Sequence, residues 1–206
     1  MKKLLSALLT LCLLVLPMVS LAEAATQDMQ METYTHSSGA FSMQYPSDWT
    51  LLDRSTIDTL ISMAANSSDE VKNVYENVKQ QLAAADIVMI LSPDMQCTAN
   101  VTVQALGASM TAEQISSLSA QLQSSIKLNL PTATFPNDGS VVTVGSNEFF
   151  MLEAVYTLSG VEFNSITYMT APNTNLYTVN FTVASSVVDA NIDAMGAILA
   201  SFTPAE

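Results

Sequence analysis

Apolar and polar residues alternate along much of the chain, a pattern typical of β-strands that bury one face. The first such stretch, FSMQY, ends at Pro46, which cannot donate a hydrogen bond to a sheet. Two later stretches, 86–92 and 148–158, are apolar on both faces, as in strands covered on both sides, and we expect 148–158 to be central. The predicted strands lie at 39–45, 86–92, 100–106, 140–144, 148–158, 161–170 and 177–183.

Apolar residues at helical spacing predict helices between some of these strands. Two helices over 55–85 form a predicted hairpin on one face of the sheet. A capping box of Thr111 and Gln114 begins a helix predicted over 111–129. The last predicted helix is capped by Ser186 or Asp189 and has an apolar stripe of Val188, Ile192, Met195 and Leu199.

The order of these elements predicts a fold class. Strands joined by short turns make a mainly antiparallel sheet, and amphipathic helices imply layers above and below it. We therefore expect an α+β fold, a single-domain α/β/α sandwich whose central sheet is flanked by helices on both faces. The predicted organisation is a signal peptide at 1–24, a flexible tether at 25–38 and one domain at 39–206.

The first 24 residues have the pattern of a secretory signal peptide. Lys2 and Lys3 precede a long apolar run, and Ala22-Glu23-Ala24 forms a small-x-small cleavage site. The alternative is an uncleaved membrane anchor, which Pro17 disfavours because it interrupts the apolar helix just before the cleavage site. Cys12 lies inside the apolar run, where it is badly placed to carry a lipid, so we expect a free secreted or cell-envelope protein.

Charge and cysteine content restrict the function of the mature chain. Removal of residues 1–24 leaves four basic and eighteen acidic residues, which changes the formal net charge from −13 to −14. Such a surface repels phosphate backbones and anionic lipids, so nucleic-acid binding and membrane binding after cleavage are not expected. Cys97 is then the one remaining cysteine, which excludes an intramolecular disulfide and favours a small buried apolar residue over a reactive thiol.

The opening strand and the end of the chain resemble the PsbP/Mog1-like family. Phe41, Tyr45, Pro46 and Trp49 match an F-x-x-x-Y-P-x-x-W pattern, and the region from Glu148 onward matches a strand meander followed by a helix. The family includes a photosystem II subunit and a protein that binds a small GTPase. Neither activity transfers to residues of this chain, and the metal ligands of the photosynthetic subunit cannot be placed here. The resemblance implies a non-enzymatic binding or assembly domain.

Catalytic and metal-binding chemistry has few candidates. The single histidine, His36, lies in the predicted tether, where nothing fixes it beside a nucleophile, so no catalytic residue and no cofactor are assigned. Met29, Met31 and His36 are the candidate ligands for Cu(I), although a tether rich in adaptable residues explains them as well. Sequons at Asn66, Asn100 and Asn180 are interpreted as ordinary sequence composition, because Asn180 falls within a strand.

Three functional hypotheses follow. The preferred one is a secreted or cell-envelope non-enzymatic binding protein of unknown partner, which docks on a sheet edge or on a rim formed by Asp48, Trp49 and Asp53. The second is an extracellular metal-binding subunit, with copper at the methionines or calcium held by Asp48 and Asp53. The third is a hydrolase that uses carboxylates such as Asp48, Asp53 and Glu153.

Overall fold

A computed structural model describes residues 29–52 and 86–205. Within these ranges the chain forms two antiparallel sheets of seven and three strands. The predicted signal peptide, the helical hairpin over 55–85 and Asp53 lie outside the described residues. The mainly antiparallel character predicted from the short turns is confirmed.

The large sheet contains seven strands in the order β3-β4-β5-β9-β8-β7-β6. A meander of three long strands forms one half of it, and β5 joins this half to the remaining strands through its pairing with β9. The strands are β3 (Thr50–Leu52), β4 (Asp86–Leu91), β5 (Cys97–Ala105), β6 (Ser140–Val144), β7 (Asn147–Leu158), β8 (Val161–Thr170) and β9 (Asn175–Ala184).

The central strand of the large sheet is β9 and not the segment 148–158. That segment is β7, which has only β6 between it and the sheet edge, so its predicted central position is wrong. The prediction failed because β7 is buried on one face from Phe150 onward, whereas its other face beyond Phe149 is half-buried or exposed. The strand predicted over 100–106 is β5, and it begins three residues earlier, at Cys97.

The small sheet contains β1 (Met31–Thr35), β2 (Phe41–Pro46) and β10 (Thr203–Pro204), with β2 in the middle. Residues 31–35 are therefore a strand where the sequence predicts a flexible tether. The segment has little apolar periodicity because it is an edge strand, ordered mainly by its pairing with β2. Part of this pairing is the Tyr45 hydroxyl, which donates a hydrogen bond of 2.9 Å to the Glu32 carboxylate.

Three helices lie in the described part of the chain: α1 (Ala112–Ser116), α2 (Ser119–Asn129) and α3 (Val188–Ser201). The predicted capping box of Thr111 and Gln114 is present. The single helix expected over 111–129 is divided in two, because the Ser116 and Ser117 hydroxyls bond backbone carbonyls one turn earlier and compete with helix continuation. No helix in residues 29–52 or 86–205 has the length and apolarity to cross a bilayer.

The final helix differs from the prediction in its cap and in its buried stripe. It continues from a 3₁₀ turn at Ser185–Val187, and neither Ser186 nor Asp189 caps it. Ile192, predicted to be buried, is 55 % exposed. The buried stripe is Asn191, Ala194, Met195, Ile198 and Leu199.

The two faces of the large sheet carry separate cores. On one face α3 and β2 pack over β5 and β9, and Phe41, Phe181 and Phe202 are among the fully buried side chains. On the other face Ile115 of α1 and Leu122 of α2 join an apolar cluster with residues of β7 and β8. The described layers thus combine helices with a second sheet, and the purely helix-flanked sandwich expected from the sequence is not confirmed.

Candidate functional site

One end of the large sheet leaves an apolar surface outside both cores. Alternation along β7 and β8 places Met151, Glu153 and Val155 on the same face as Ile166 and Tyr168, with Glu153 opposite Ile166 in the register. We call these five residues the open face. They lie on the side of the sheet that α3 covers, but α3 packs on β2 and β9, and all five remain half-buried.

Tyr168 connects the open face to the adjacent core. Its ring makes edge-on contacts with Phe149 and Phe181, at centroid distances of 6.0 and 6.1 Å. Burial raises the pKa of the Tyr168 hydroxyl above its ordinary value, and the negative charge of Glu153 raises it further. The hydroxyl is therefore neutral across the physiological range and available as a hydrogen-bond donor beside a carboxylate.

The charge of the open face is negative. Glu162 lies on the same side of β8 as Ile166 and Tyr168, and it adds a second carboxylate to that of Glu153. Neither carboxylate forms a salt bridge with any residue in 29–52 or 86–205. Lys127, the basic residue of α2, lies on the other side of the sheet, with its ammonium 5.5 Å from the centre of the Phe135 ring.

Strand β6 borders the open face and forms an edge of the large sheet. Its sequence SVVTV has no charge and no proline, and no described residue pairs with its outer side. Gly139 sets the start of this strand. It has a φ of +87°, and a Cβ there would lie 2.5 Å from the Phe150 ring, so a side chain at this position would displace β6 from β7.

Comparison with solved structures identifies the architecture. The chain matches the solution structure of cyanobacterial PsbP (CyanoP) from Synechocystis over 89 % of its length and 98 % of that protein, at 12 % identity and a TM-score of 0.58. It matches LpqN of Mycobacterium tuberculosis, described as involved in cell envelope biogenesis, over 87 % of its length and 93 % of LpqN, at 16 % identity and a TM-score of 0.53. The fold is PsbP/Mog1-like.

A further match is a larger protein of Bacteroides thetaiotaomicron, at 14 % identity and a TM-score of 0.53. This chain aligns over 86 % of its own length but spans only 50 % of that protein. No protein-family model and no curated protein matches the sequence. The structural matches therefore establish the PsbP/Mog1-like fold and leave the activity to be argued from the chain itself.

The predicted rim near Trp49 is only partly described. Trp49 belongs to the core beneath α3 and is 7 % exposed, and its backbone N–H donates to the Pro46 carbonyl at 2.9 Å. Asp48 is exposed, and Asp53 lies outside the described residues. The rim thus stays a prediction, and the Trp49 ring packs in the core. The third carboxylate of the hydrolase hypothesis, Glu153, belongs to the open face.

The predicted copper ligands are not brought together. Met31 and His36 are five residues apart along an extended segment, a separation of about 16 Å. Met29 is 42 % exposed, whereas His36 is buried, stacks on Phe41 at 5.0 Å and bonds the Ser38 hydroxyl through Nδ1 at 2.8 Å. Across the described ranges, no three His, Cys, Asp or Glu side chains are grouped as metal ligands. His36 is fixed by packing, contrary to the expectation that it is unrestrained.

Two further sequence interpretations agree with the geometry. Cys97 is fully buried, and burial raises the pKa of its thiol, with a smaller contribution from the charge of Asp94. Asn100 and Asn180 are both fully buried, so neither is available for glycosylation in the folded chain, and Asn66 lies outside the described residues.

The open face was missed because the sequence predicts that β7 is covered on both sides. A signal was nevertheless present: Glu153 interrupts an apolar strand, and Glu162 and Asn164 fall on the matching side of the next strand. Charged residues are rarely enclosed without a partner. Their alternation with apolar residues therefore indicates a surface that is only partly covered.

Proposed function

We propose that the protein is an exported, non-enzymatic binding protein that docks a cationic segment of a partner protein on the open face. The observation that carries this proposal is the position of two carboxylates, the half-buried Glu153 and the exposed Glu162, beside half-buried apolar side chains and without a salt bridge to any described residue. A half-buried carboxylate interacts with a cation more strongly than a fully solvated one does. A Lys or Arg side chain supplies the missing charge, and its aliphatic part covers apolar surface.

The remaining side chains of the open face suit the same partner. Met151, Val155 and Ile166 offer apolar contact area, and the partly exposed Tyr168 ring can receive a cation on its face. The uncharged edge of β6 lies alongside, where an extended segment can add as a further strand. We therefore expect the partner segment to be extended, with basic residues alternating with apolar ones.

Two observations support a location outside the cytoplasm. The first 24 residues have the pattern of an export signal. LpqN, which shares the fold, is described as involved in cell envelope biogenesis. We infer an accessory role in the cell envelope or the medium, where the negative charge of the chain favours basic partners.

A binding experiment with a defined probe tests the proposal. The probe is a synthetic peptide of alternating lysine and valine, titrated into the purified protein at low ionic strength. Glu153→Gln should weaken binding about fivefold, since one partly buried charge pair contributes on the order of 1 kcal/mol. The matched control is Glu113→Gln, which removes the same charge from an exposed position on α1. Equal weakening by both variants would show that the attraction is general and not located at the open face.

Crosslinking in the producing cells tests for a natural partner. A photoreactive amino acid at Val155 should give a discrete adduct that disappears when Glu153→Gln is added. The control position is Leu128, which is 81 % exposed on α2 and lies on the other side of the sheet. The same adducts from both positions, or none from Val155, would contradict docking at the open face.

A further inference from the structure

The centre of the large sheet carries a buried polar surface on the side away from α3. Strands β5, β9 and β8 lie side by side there, and each contributes hydroxyl or amide side chains at alternate positions. We call this surface the polar floor. None of its residues is more than 5 % exposed, and they are Thr98, Asn100, Ser165, Thr167, Thr178, Asn180 and Thr182.

Asn180 forms three side-chain hydrogen bonds within the polar floor. Its side-chain nitrogen donates to the Ser165 hydroxyl at 2.8 Å and to the Thr167 hydroxyl at 2.9 Å. Its side-chain oxygen accepts from the Thr182 hydroxyl at 3.0 Å. Because an amide nitrogen has two protons, Asn180 has none left for Asn100, which lies directly opposite it in the register.

Asn100 is not satisfied in the same way. Its side-chain nitrogen lies 3.5 Å from the Thr98 hydroxyl, and its Oδ1 has no hydrogen-bond partner although the residue is fully buried. Exchanging the amide nitrogen and oxygen would leave a donor without a partner, so the deficit belongs to the position. Its neighbour on the other side is Met89 of β4, an apolar residue.

The missing partner must be able to hydrogen-bond with Asn100 in either amide orientation, which a hydroxyl group does because it is both a donor and an acceptor. Among residues 29–52 and 86–205, the polar floor contains hydroxyls and amides and no ionisable carboxylate or amine, so these residues offer a charged ligand no opposite charge to compensate for its lost hydration. Buried polar groups left without protein partners are commonly satisfied by bound water, which makes about three hydrogen bonds. We propose that the polar floor binds a neutral hydroxyl group at Asn100 Oδ1, supplied either by a water molecule or by a small polyol.

Nuclear Overhauser contacts of the Asn100 side-chain amide test this directly. The purified protein, labelled with ¹⁵N, is measured in buffer alone and in buffer containing glycerol. A contact with a long-lived water in both buffers supports the proposal and identifies water as the donor. Replacement of that contact by one to glycerol supports it and identifies a polyol. Absence of both contacts overturns the proposal.

Thermal unfolding of Asn100→Leu provides a second measurement. If nothing donates to Asn100, this change removes an unsatisfied acceptor and leaves the Tm unchanged or raises it, which contradicts the proposal. If a hydroxyl is bound there, the Tm should fall by about 3 °C or more. Asn180→Leu, which removes the hydrogen bonds that Asn180 forms with the Ser165, Thr167 and Thr182 hydroxyls, is the control that shows how far the Tm falls when known hydrogen bonds are lost.

Discussion

The two faces of the central strands are equally buried but chemically opposite. Towards α3, β9 presents Tyr177, Val179, Phe181 and Val183, which pack beneath the helix and β2. Towards the other face the same strand presents Thr178, Asn180 and Thr182. Alternation along one strand therefore builds an apolar core on one side and a hydrogen-bonded floor on the other.

The difference teaches that burial at the centre of a sheet does not require an apolar surface. The face of the sheet towards α3, here the α3 face, is stabilised by close packing, and its contribution to the free energy of folding depends on the volume and shape of its side chains. The polar floor depends on each donor meeting an acceptor, because an unsatisfied buried group costs free energy. The two faces should therefore respond differently to the same class of substitution.

Removal of a large side chain from the α3 face should have the largest effect. Phe181→Ala leaves a cavity where the ring is 1 % exposed and contacts Tyr168. We expect the free energy of unfolding to fall by about 3–5 kcal/mol in urea denaturation. Ile192→Ala, on the exposed side of α3, is the control and should change it by less than about 1 kcal/mol. A loss below that level for Phe181→Ala would mean that packing does not hold this face.

Exchanges between valine and threonine at two neighbouring positions should distinguish the two faces. Val183→Thr places a hydroxyl in the apolar core. Thr182→Val removes the hydroxyl that donates a hydrogen bond to Asn180 Oδ1. Each change should destabilise the protein by about 1–3 kcal/mol, although the two changes are chemical opposites. Thr182→Ser is the control, since it keeps the hydroxyl. A stabilising effect of Thr182→Val would show that the polar floor is not held by its hydrogen bonds.

The sequence predicted the alternation of side chains along the strands well, because a period of two depends only on neighbouring residues. It identified β8 with the bounds 161–170 and placed Tyr177, Val179, Phe181 and Val183 on one face, as the structure confirms. The same pattern did not indicate that Thr178, Asn180 and Thr182 are also buried. A polar face usually indicates solvent, and its enclosure depends on contacts between residues distant in sequence.

Non-local pairing also explains the other errors. The strand β1 exists because it pairs with β2, and the position of β7 depends on which strand inserts between β5 and β8. Of the candidate site, the sequence identified Glu153 as a carboxylate, but it could not place that residue beside Tyr168 of the next strand. Sequence patterns carry little information about which half-covered face a layer of helices leaves open.

The thiol on the α3 face should make stability depend on pH at alkaline values. The pKa of Cys97 is raised in the folded chain, mainly by burial, so the native state keeps its proton while the unfolded chain releases one above a pKa of about 8.5. The stability therefore falls as the pH rises, by about 1 kcal/mol between about pH 8 and pH 9.5. Urea denaturation of Cys97→Ala at the same pH values is the control. An identical pH dependence in the variant would assign the effect to other groups.

The smallest effect is expected at the open face, and it is a change in a pKa and not in stability. Glu153→Gln should lower the pKa of Tyr168, because it removes the negative charge that contributes to the raised value. The pKa should stay above the ordinary value for tyrosine, since burial is the larger cause and is unaltered. The titration of the ring carbon signal of Tyr168 by NMR measures this shift.

Tyr45 provides the internal reference for that titration. The pKa of its hydroxyl is raised by burial and by its hydrogen bond to Glu32, in the small sheet, so Glu153→Gln should leave it unchanged. A shift of both tyrosines would indicate a general loss of negative charge. A shift of Tyr168 alone would place the Glu153 carboxylate within electrostatic reach of the ring. The open face would then differ from the centre of the α3 face, because it carries the Glu153 charge that a partner can neutralise.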